Sequence, residues 1–286
     1  MWKTLGRSEL ERQYSPSSCV DNFDDLVAAY ATRSKASEAG ATVIKSISYG
    51  DHADETLDLF PVADPGAPLM VFIHGGYWQA LSKNDSTFAG AGFVRRGIAF
   101  AAIDYTLAPK GTIEQMVDQC CRSLVWLRDN AGQYGYSSEK IFLSGSSAGA
   151  HLAVMAMITL GKLRIGGIVK GCVLMSGIYD LRPLVNTYVN APLGLDEESA
   201  RALSPALIDL EALPDSIICW GENETGEFKR QSREFARAQI DAGGNCNYFE
   251  IAGRNHFDLV YELDNIRIDS GGMTMDTDQS RNRKDF

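Results

Sequence analysis

The stretch Lys140 to Ile158, KIFLSGSSAGAHLAVMAMI, decides how this chain folds. A short apolar run, Ile141-Phe142-Leu143, leads into Gly145-Ser146-Ser147-Ala148-Gly149, and an apolar, helix-favouring segment follows. That order is strand, sharp turn, helix, with G-x-S-x-G at the bend, the setting a nucleophile elbow requires. A serine at the tip of such a turn exposes its hydroxyl at the end of a sheet. The flanking glycines remove side chains that would collide where strand and helix close up. The amide of Ala148, opening the helix, points to where an oxyanion would form, aided by the helix dipole. A Gly/Ser-rich loop would show the same five letters, so the surrounding segments have to support the reading.

They do so by alternation. Upstream, Pro68 to Gly76 is an apolar strand running straight into His74-Gly75-Gly76-Tyr77-Trp78. Lys83 to Arg96 has the length of a helix, and Ile98 to Asp104 reads as the next buried strand. In Thr112 to Asn130, Ile113, Met116, Val117, Cys120, Leu124 and Leu127 recur on one helical face, with Gly132 as the expected stop. Downstream, Val169 to Ser176, Ser216 to Trp220 and Cys246 to Ile251 are strands, and Glu227 to Ala242 is a charged amphipathic helix closed by Gly243-Gly244. Apolar strands alternating with helices predict an α/β fold, a mostly parallel sheet with helices on both faces. Right-handed crossovers then bring the loops after the strands to one edge of the sheet.

Three segments stand outside the alternation. Residues 1–40 form an expected helical arm, with Phe23, Leu26, Val27 and Tyr30 at helical spacing and Asp21 as the expected N-cap. The main domain spans 41–265 and opens with an antiparallel edge hairpin, Ala41–Tyr49 and Thr56–Val62. Within it, 181–213 carries Pro183, Pro192 and Pro205 but no buried strand, and reads as a small helical cap over the sheet. Residues 266–286 are polar and weakly periodic, the pattern of a frayed tail.

Composition narrows the function classes. At 286 residues, 45% hydrophobic and 22% charged, the chain suits one large globular domain. A net charge of −10 argues against non-specific nucleic-acid or anionic-membrane partners, although a local site can still take an anionic substrate. No apolar run has the length of a membrane span, and the N-terminus lacks a secretory apolar region. The six cysteines include no C-x-x-C pair, and Cys172 and Cys219 fall inside apolar strands. A reduced, cytoplasmic protein without structural disulfides or zinc is the expectation.

A serine hydroxyl needs a base to take its proton. His256, directly after the last strand, is the candidate, and an imidazole in that role needs a carboxylate behind it. The loop after Trp220 supplies Glu222, Glu224 and Glu227, in the chain order serine, acid, histidine. Asp180 is the alternative acid. The remaining histidines read as structural: His151 one turn along the helix from Ser147, His74 shaping its loop, His52 in the hairpin turn. Asp258, close after His256, reads as solvated.

Taken together, His74-Gly-Gly-Tyr-Trp and Gly145-Ser-Ser-Ala-Gly-Ala-His-Leu resemble the α/β-hydrolase branch that holds kynurenine formamidases and related carboxylesterases. The resemblance extends through Glu55-Thr-Leu-Asp-Leu-Phe-Pro, Asp104-Tyr, Leu203-Ser-Pro, Gly221-Glu222 with Glu227-Phe228, and His256-Phe257, over about residues 10–262. It implies Ser147 as nucleophile, His256 as base, and the amides of Gly75, Gly76 and Ala148 as an oxyanion hole. Tyr77 and Trp78 would wall the substrate pocket. Relatives usually carry aspartate where this chain has Glu224, so a longer carboxylate must be accommodated, and often histidine where Ser146 stands, which alters pocket polarity. The implied reaction removes a small acyl group, formyl foremost, from an amide nitrogen without metal or organic cofactor. Its alternatives are short acyl esters and an N-formyl enamine dicarboxylate, for which Arg182, Arg201 or Arg254 would be counter-ions. The substrate is a small molecule, and the resemblance is compatible with a homodimer.

Overall fold

The computed structural model describes residues 2–208, 213–269 and 272–276. Eight strands form one sheet in the order β1-β2-β4-β3-β5-β6-β7-β8. β1 (Ile44–Ser48) and β2 (Thr56–Phe60) are an antiparallel hairpin at its edge, as the alternating sequence predicts. β3 (Leu69–Ile73), β4 (Ala99–Ile103), β5 (Ile141–Ser146), β6 (Val169–Met175), β7 (Asp215–Asn223) and β8 (Cys246–Asn255) pair with one another only in parallel, while β2 joins β4 antiparallel. The three central strands β4, β3 and β5 are buried along their whole length, which is why their sequences are apolar without alternation.

Successive residues of these strands feed two separate cores. Leu69, Val71, Ile73, Ala99, Ala101 and Leu143 face one layer; Met70, Phe72, Phe100, Ala102 and Phe142 face the other. The first core is covered by α4 (Ile113–Asp129), α6 (Ala148–Lys162) and α8 (Gly226–Asp241), with α1 (Arg7–Gln13) joining through Leu10. The second is covered by α2 (Phe23–Ala39) and α3 (Gly90–Arg95). Fully burying each Leu, Ile or Phe of these layers contributes about 1.5–3 kcal/mol. α4 begins where expected, on a Thr112–Gln115 capping box worth about 1 kcal/mol.

Several boundaries depart from the sequence reading. Asn22, not Asp21, precedes α2, and its side chain makes no capping bond; Asp24 and Asp25 in the first turn act on the dipole instead. Lys83–Arg96 is not one helix but a Ser82-capped turn (Lys83–Asp85) followed by α3. Gly132 does not end α4; a short α5 (Ala131–Tyr134) follows, and Gly135, with φ 74°, closes it.

The excursion lacks strands, as expected, and is built of short turns plus α7 (Glu197–Ala202); residues 209–212 lie outside the described residues. The expected frayed tail is corrected over 266–276. β9 (Ile266–Asp269) and β10 (Gly272–Met275) pair antiparallel, and Ile266 and Met273 are buried in the second core. Burying those two side chains outweighs the polar composition around them. The rest of the polar tail, 277–286, lies outside the described residues.

Candidate active site

The loops after β3, β5, β7 and β8 all leave the same edge of the parallel sheet and carry, in turn, Gly75–Trp78, Ser147, Glu224 and His256. Ser147 sits between β5 and α6 with φ 56° and ψ −120°, a strained conformation for a residue with a side chain. Its amide is held by the carbonyl of Met175 at 2.8 Å. The two glycines of the motif are required by close approach. A Cβ on Gly149 would lie against the carbonyl oxygens of Ile73 and His74, and one on Gly145 against the backbone of Gly149. Only hydrogens fit where α6 crosses the end of β5 and β3.

His256 follows β8, which runs four residues further than the sequence suggested. Its Nδ1 is 2.8 Å from Glu224 Oε2, and its ring packs against Phe228 with centroids 4.5 Å apart. The other oxygen of that carboxylate, Oε1, accepts from the amide of Gly221 at 2.6 Å and from the hydroxyl of Ser176. Each oxygen is thus occupied, and the orientation of the imidazole is set from behind. The competing acids are committed elsewhere. Asp180 pairs with Arg182 at 2.8 and 2.9 Å, Glu222 accepts from the amide of Gly253, and Glu227 is bound by Arg230 and Tyr14. Asp258 caps its own turn by accepting from the amide of Asn255.

Gly75 approaches the elbow closely: a Cβ there would be 2.8 Å from the carbonyl oxygen of Ser146 and 3.2 Å from Ser147 Cβ. Among the described residues the amides of Gly75 and Gly76 donate to no loop or turn carbonyl, and Ala148, as first residue of α6, has no intrahelical acceptor. His74 holds this loop, as expected. Its Nδ1 is 2.9 Å from the carbonyl oxygen of Gly75, its ring stacks on Tyr105 at 4.3 Å, and the Tyr105 hydroxyl donates to its carbonyl. Burial lowers its pKa to about 4, so it is neutral. His151 is likewise buried and lowered to about 4, with Nε2 donating to the carbonyl of Leu203 at 2.8 Å. His52 stays exposed in its turn.

A cavity of about 320 Å³ opens at this edge, lined by Gly75, Gly76, Tyr77, Ser146, Ser147 and His256 among others. Trp78 is not part of its wall. Tyr77 and Trp78 have successive positive φ angles of 53° and 61°, and the indole turns inward, fully buried, edge-on to His151 at 5.1 Å. The wall that sequence reasoning missed comes from elsewhere. Pro16, Phe23, Val27 and Tyr30 of the N-terminal arm, Phe88 before α3, Tyr188 of the excursion and Phe257 line the same space. The helical spacing of Phe23, Val27 and Tyr30 was visible, but a face that walls a cavity carries the same pattern as one that packs on a core.

The arm is bonded to the site rather than laid against it. Tyr77 Oη donates to the carbonyl of Tyr14 at 2.6 Å, Thr225 Oγ1 to that of Gln13 at 2.6 Å, and Tyr30 Oη to that of Phe257 at 2.7 Å. The loops bearing Gly76, Glu224 and His256 are therefore each tied to residues 13–30.

The family profile BD-FAE matches residues 57–225. A kynurenine formamidase from Danio rerio is 36% identical over 276 residues, covering 92% of this chain and 93% of the relative. The chain belongs to the kynurenine formamidase family. Solved structures agree on an α/β-hydrolase fold at lower identity. A protein from Silicibacter sp. tm1040 superposes with a TM-score of 0.79 at 24% identity, covering 90% of this chain and 95% of its own. The carboxylesterase EstE1, from a metagenomic library, gives 0.67 at 18%, covering 89% and 90%. Glu224 meets His256 Nδ1 with Oε2 while its Oε1 turns back to the amide of Gly221.

Proposed function

We propose that this chain is a serine hydrolase that cleaves a small acyl group, formyl foremost, from an aryl amide nitrogen. The observation that carries the proposal is the Glu224–His256 contact of 2.8 Å beside an aromatic-walled cavity that Ser147 also lines. Ser147 Oγ attacks the carbonyl carbon while His256 Nε2 takes its proton. The resulting oxyanion accepts from the amides of Ala148 and the Gly75–Gly76 loop, each such donor contributing about 3 kcal/mol to the transition state. His256 then returns the proton to the departing nitrogen, since an amine does not leave as an anion. Water, deprotonated by the same imidazole, attacks the acyl-enzyme and releases the carboxylic acid. Glu224 keeps Nδ1 protonated and stabilises the imidazolium in both halves.

The cavity supports an aromatic leaving group, because Tyr30, Phe88 and Phe257 offer ring faces and edges to a flat partner. It does not support the dicarboxylate reading. Among the described lining residues there is neither lysine nor arginine, Arg182 and Arg254 are paired with Asp180 and Glu262, and Arg201 is exposed on α7. The proposal includes a small-molecule substrate, a cytoplasmic setting on the cysteine reading, and a homodimer on the family resemblance. Light scattering on the purified protein reads the last.

Turnover of N-formylaniline against p-nitrophenyl acetate tests the reaction class: hydrolysis of the ester alone would make the protein a carboxylesterase with the same machinery. A fluorophosphonate should add covalently at Ser147 and fail to do so in Ser147→Ala. A wild-type protein that takes up no label would overturn the nucleophile assignment.

A further inference from the structure

The lining of the cavity carries a carboxylate and, among the described residues, no cationic side chain other than the titratable imidazoles. That carboxylate is Asp85, in the turn between the Gly75–Leu81 loop and α3. Its Oδ2 accepts from Ser82 Oγ at 2.9 Å, while Oδ1 accepts no hydrogen bond from the described residues. Lys83, the nearest basic residue in sequence, is buried and turned away, with Nζ 3.0 Å from Asp58 Oδ1. Asp85 is therefore half-paired and not neutralised by the protein. Around the same space Tyr30 stacks on Phe88 with centroids 6.3 Å apart, and Phe88 meets Phe72 edge-on at 5.4 Å.

A carboxylate with a free oxygen beside aromatic rings is the recognition chemistry for an organic ammonium. The ion pair and the negative ring faces attract the same charge, and both repel an anion. We propose that Asp85 is a specificity-determining residue that selects substrates with an ammonium group on the leaving-amine side over their neutral and anionic analogues. The assignment of the leaving side rests on the reaction proposed above; the charge preference itself does not require turnover. Partial exposure of Asp85 limits the effect, since an ion pair open to water is worth at most about fivefold in affinity, to which the ring faces add about twofold.

The test measures binding without catalysis. Isothermal titration near neutral pH compares 2-phenylethylamine, 2-phenylethanol and 3-phenylpropanoate on the wild-type protein and on Asp85→Asn, whose amide oxygen can still accept from Ser82. Wild type should bind the ammonium about tenfold more tightly than the alcohol, with the carboxylate weakest. In Asp85→Asn the ammonium-to-alcohol ratio should fall to about one, and Asp85→Glu should restore part of it. A wild-type ratio at or below one overturns the proposal whatever the variants do, and so does a ratio that Asp85→Asn retains. Failure of N-formylaniline turnover would count against the reaction class and leave these ratios readable.

Discussion

The hydroxyl of Tyr77 donates to the carbonyl of Tyr14 across 2.6 Å, joining the Gly75–Leu81 loop to the end of α1. Tyr77 has a positive φ, and its ring borders the cavity, so this bond fixes a loop that backbone preference alone would not hold. In Tyr77→Phe the carbonyl of Tyr14 loses its donor. We expect a stability loss of about 1 kcal/mol by urea unfolding and a fall in kcat larger than the rise in KM. Unchanged kinetics with reduced stability would confine Tyr77 to a structural role.

Glu224 should be sensitive to both charge and length. Glu224→Gln keeps the shape but lets an amide face Nδ1, so turnover should fall by about 10³–10⁴-fold with little change in folding. Glu224→Asp withdraws the carboxylate by about one C–C bond, 1.5 Å, and must break either the bond to His256 or those to Gly221 and Ser176. A fall of about 10–100-fold is expected, and steady-state rates on a p-nitrophenyl ester read both.

Steric room at the elbow predicts a graded pair. Gly149→Ala places a methyl into the backbone of β3 and should destabilise by more than about 4 kcal/mol or prevent folding. Gly75→Ala meets the backbone carbonyl oxygen of Ser146 at 2.8 Å and Ser147 Cβ at 3.2 Å, a milder overlap than that of a Cβ on Gly149 with the carbonyl oxygen of Ile73; it should be destabilised less and lose about 100-fold in kcat. Circular dichroism with activity on each variant separates the two outcomes.

Acid should weaken the fold in a defined window. Burial lowers His74 and His151 from 6.5 to about 4, so each is neutral when folded and protonates only in the unfolded chain as pH falls below 6.5. The unfolded state then binds more protons, and stability present above 6.5 is lost as pH falls toward 4, on the order of 3 kcal/mol per histidine. Asp104 acts oppositely. Burial raises it from 3.8 to about 6, so it favours the fold at low pH and loses that contribution as pH rises from 3.8 to 6. Two histidines outweigh one aspartate, and the urea midpoint should drop between pH 7 and pH 5. His151→Gln, which keeps a donor for Leu203, should show a smaller drop; an equal one would place the titration elsewhere.

The elbow, the parallel strands and the edge where their loops meet were readable from the chain because each has a local cause: an apolar run, a turn that admits only glycine, a capping pair. Ser147 and His256 were nameable on the same grounds, whereas Glu224 was singled out among the acids only by the family resemblance. In the structure Asp180 is held by Arg182, two residues on, whereas Glu224 meets His256, 32 residues away, a contact that nothing within the loop after Trp220 announces. Trp78 was misplaced since adjacent residues in left-handed backbone do not project as adjacent residues usually do. The hairpin β9–β10 escaped notice because two four-residue strands give too short a period to stand out from polar neighbours.

The region matched by the family profile, 57–225, holds Ser147 and Glu224, yet His256 and the cavity-lining Phe23, Val27, Tyr30 and Phe257 lie outside it. Part of the cavity wall is thus supplied by the N-terminal arm, away from the strand-end loops. Exchanging the first forty residues between relatives would change that wall while leaving Ser147 and the loops after the strands in place. A change made at that end reaches the cavity, not merely an appendage.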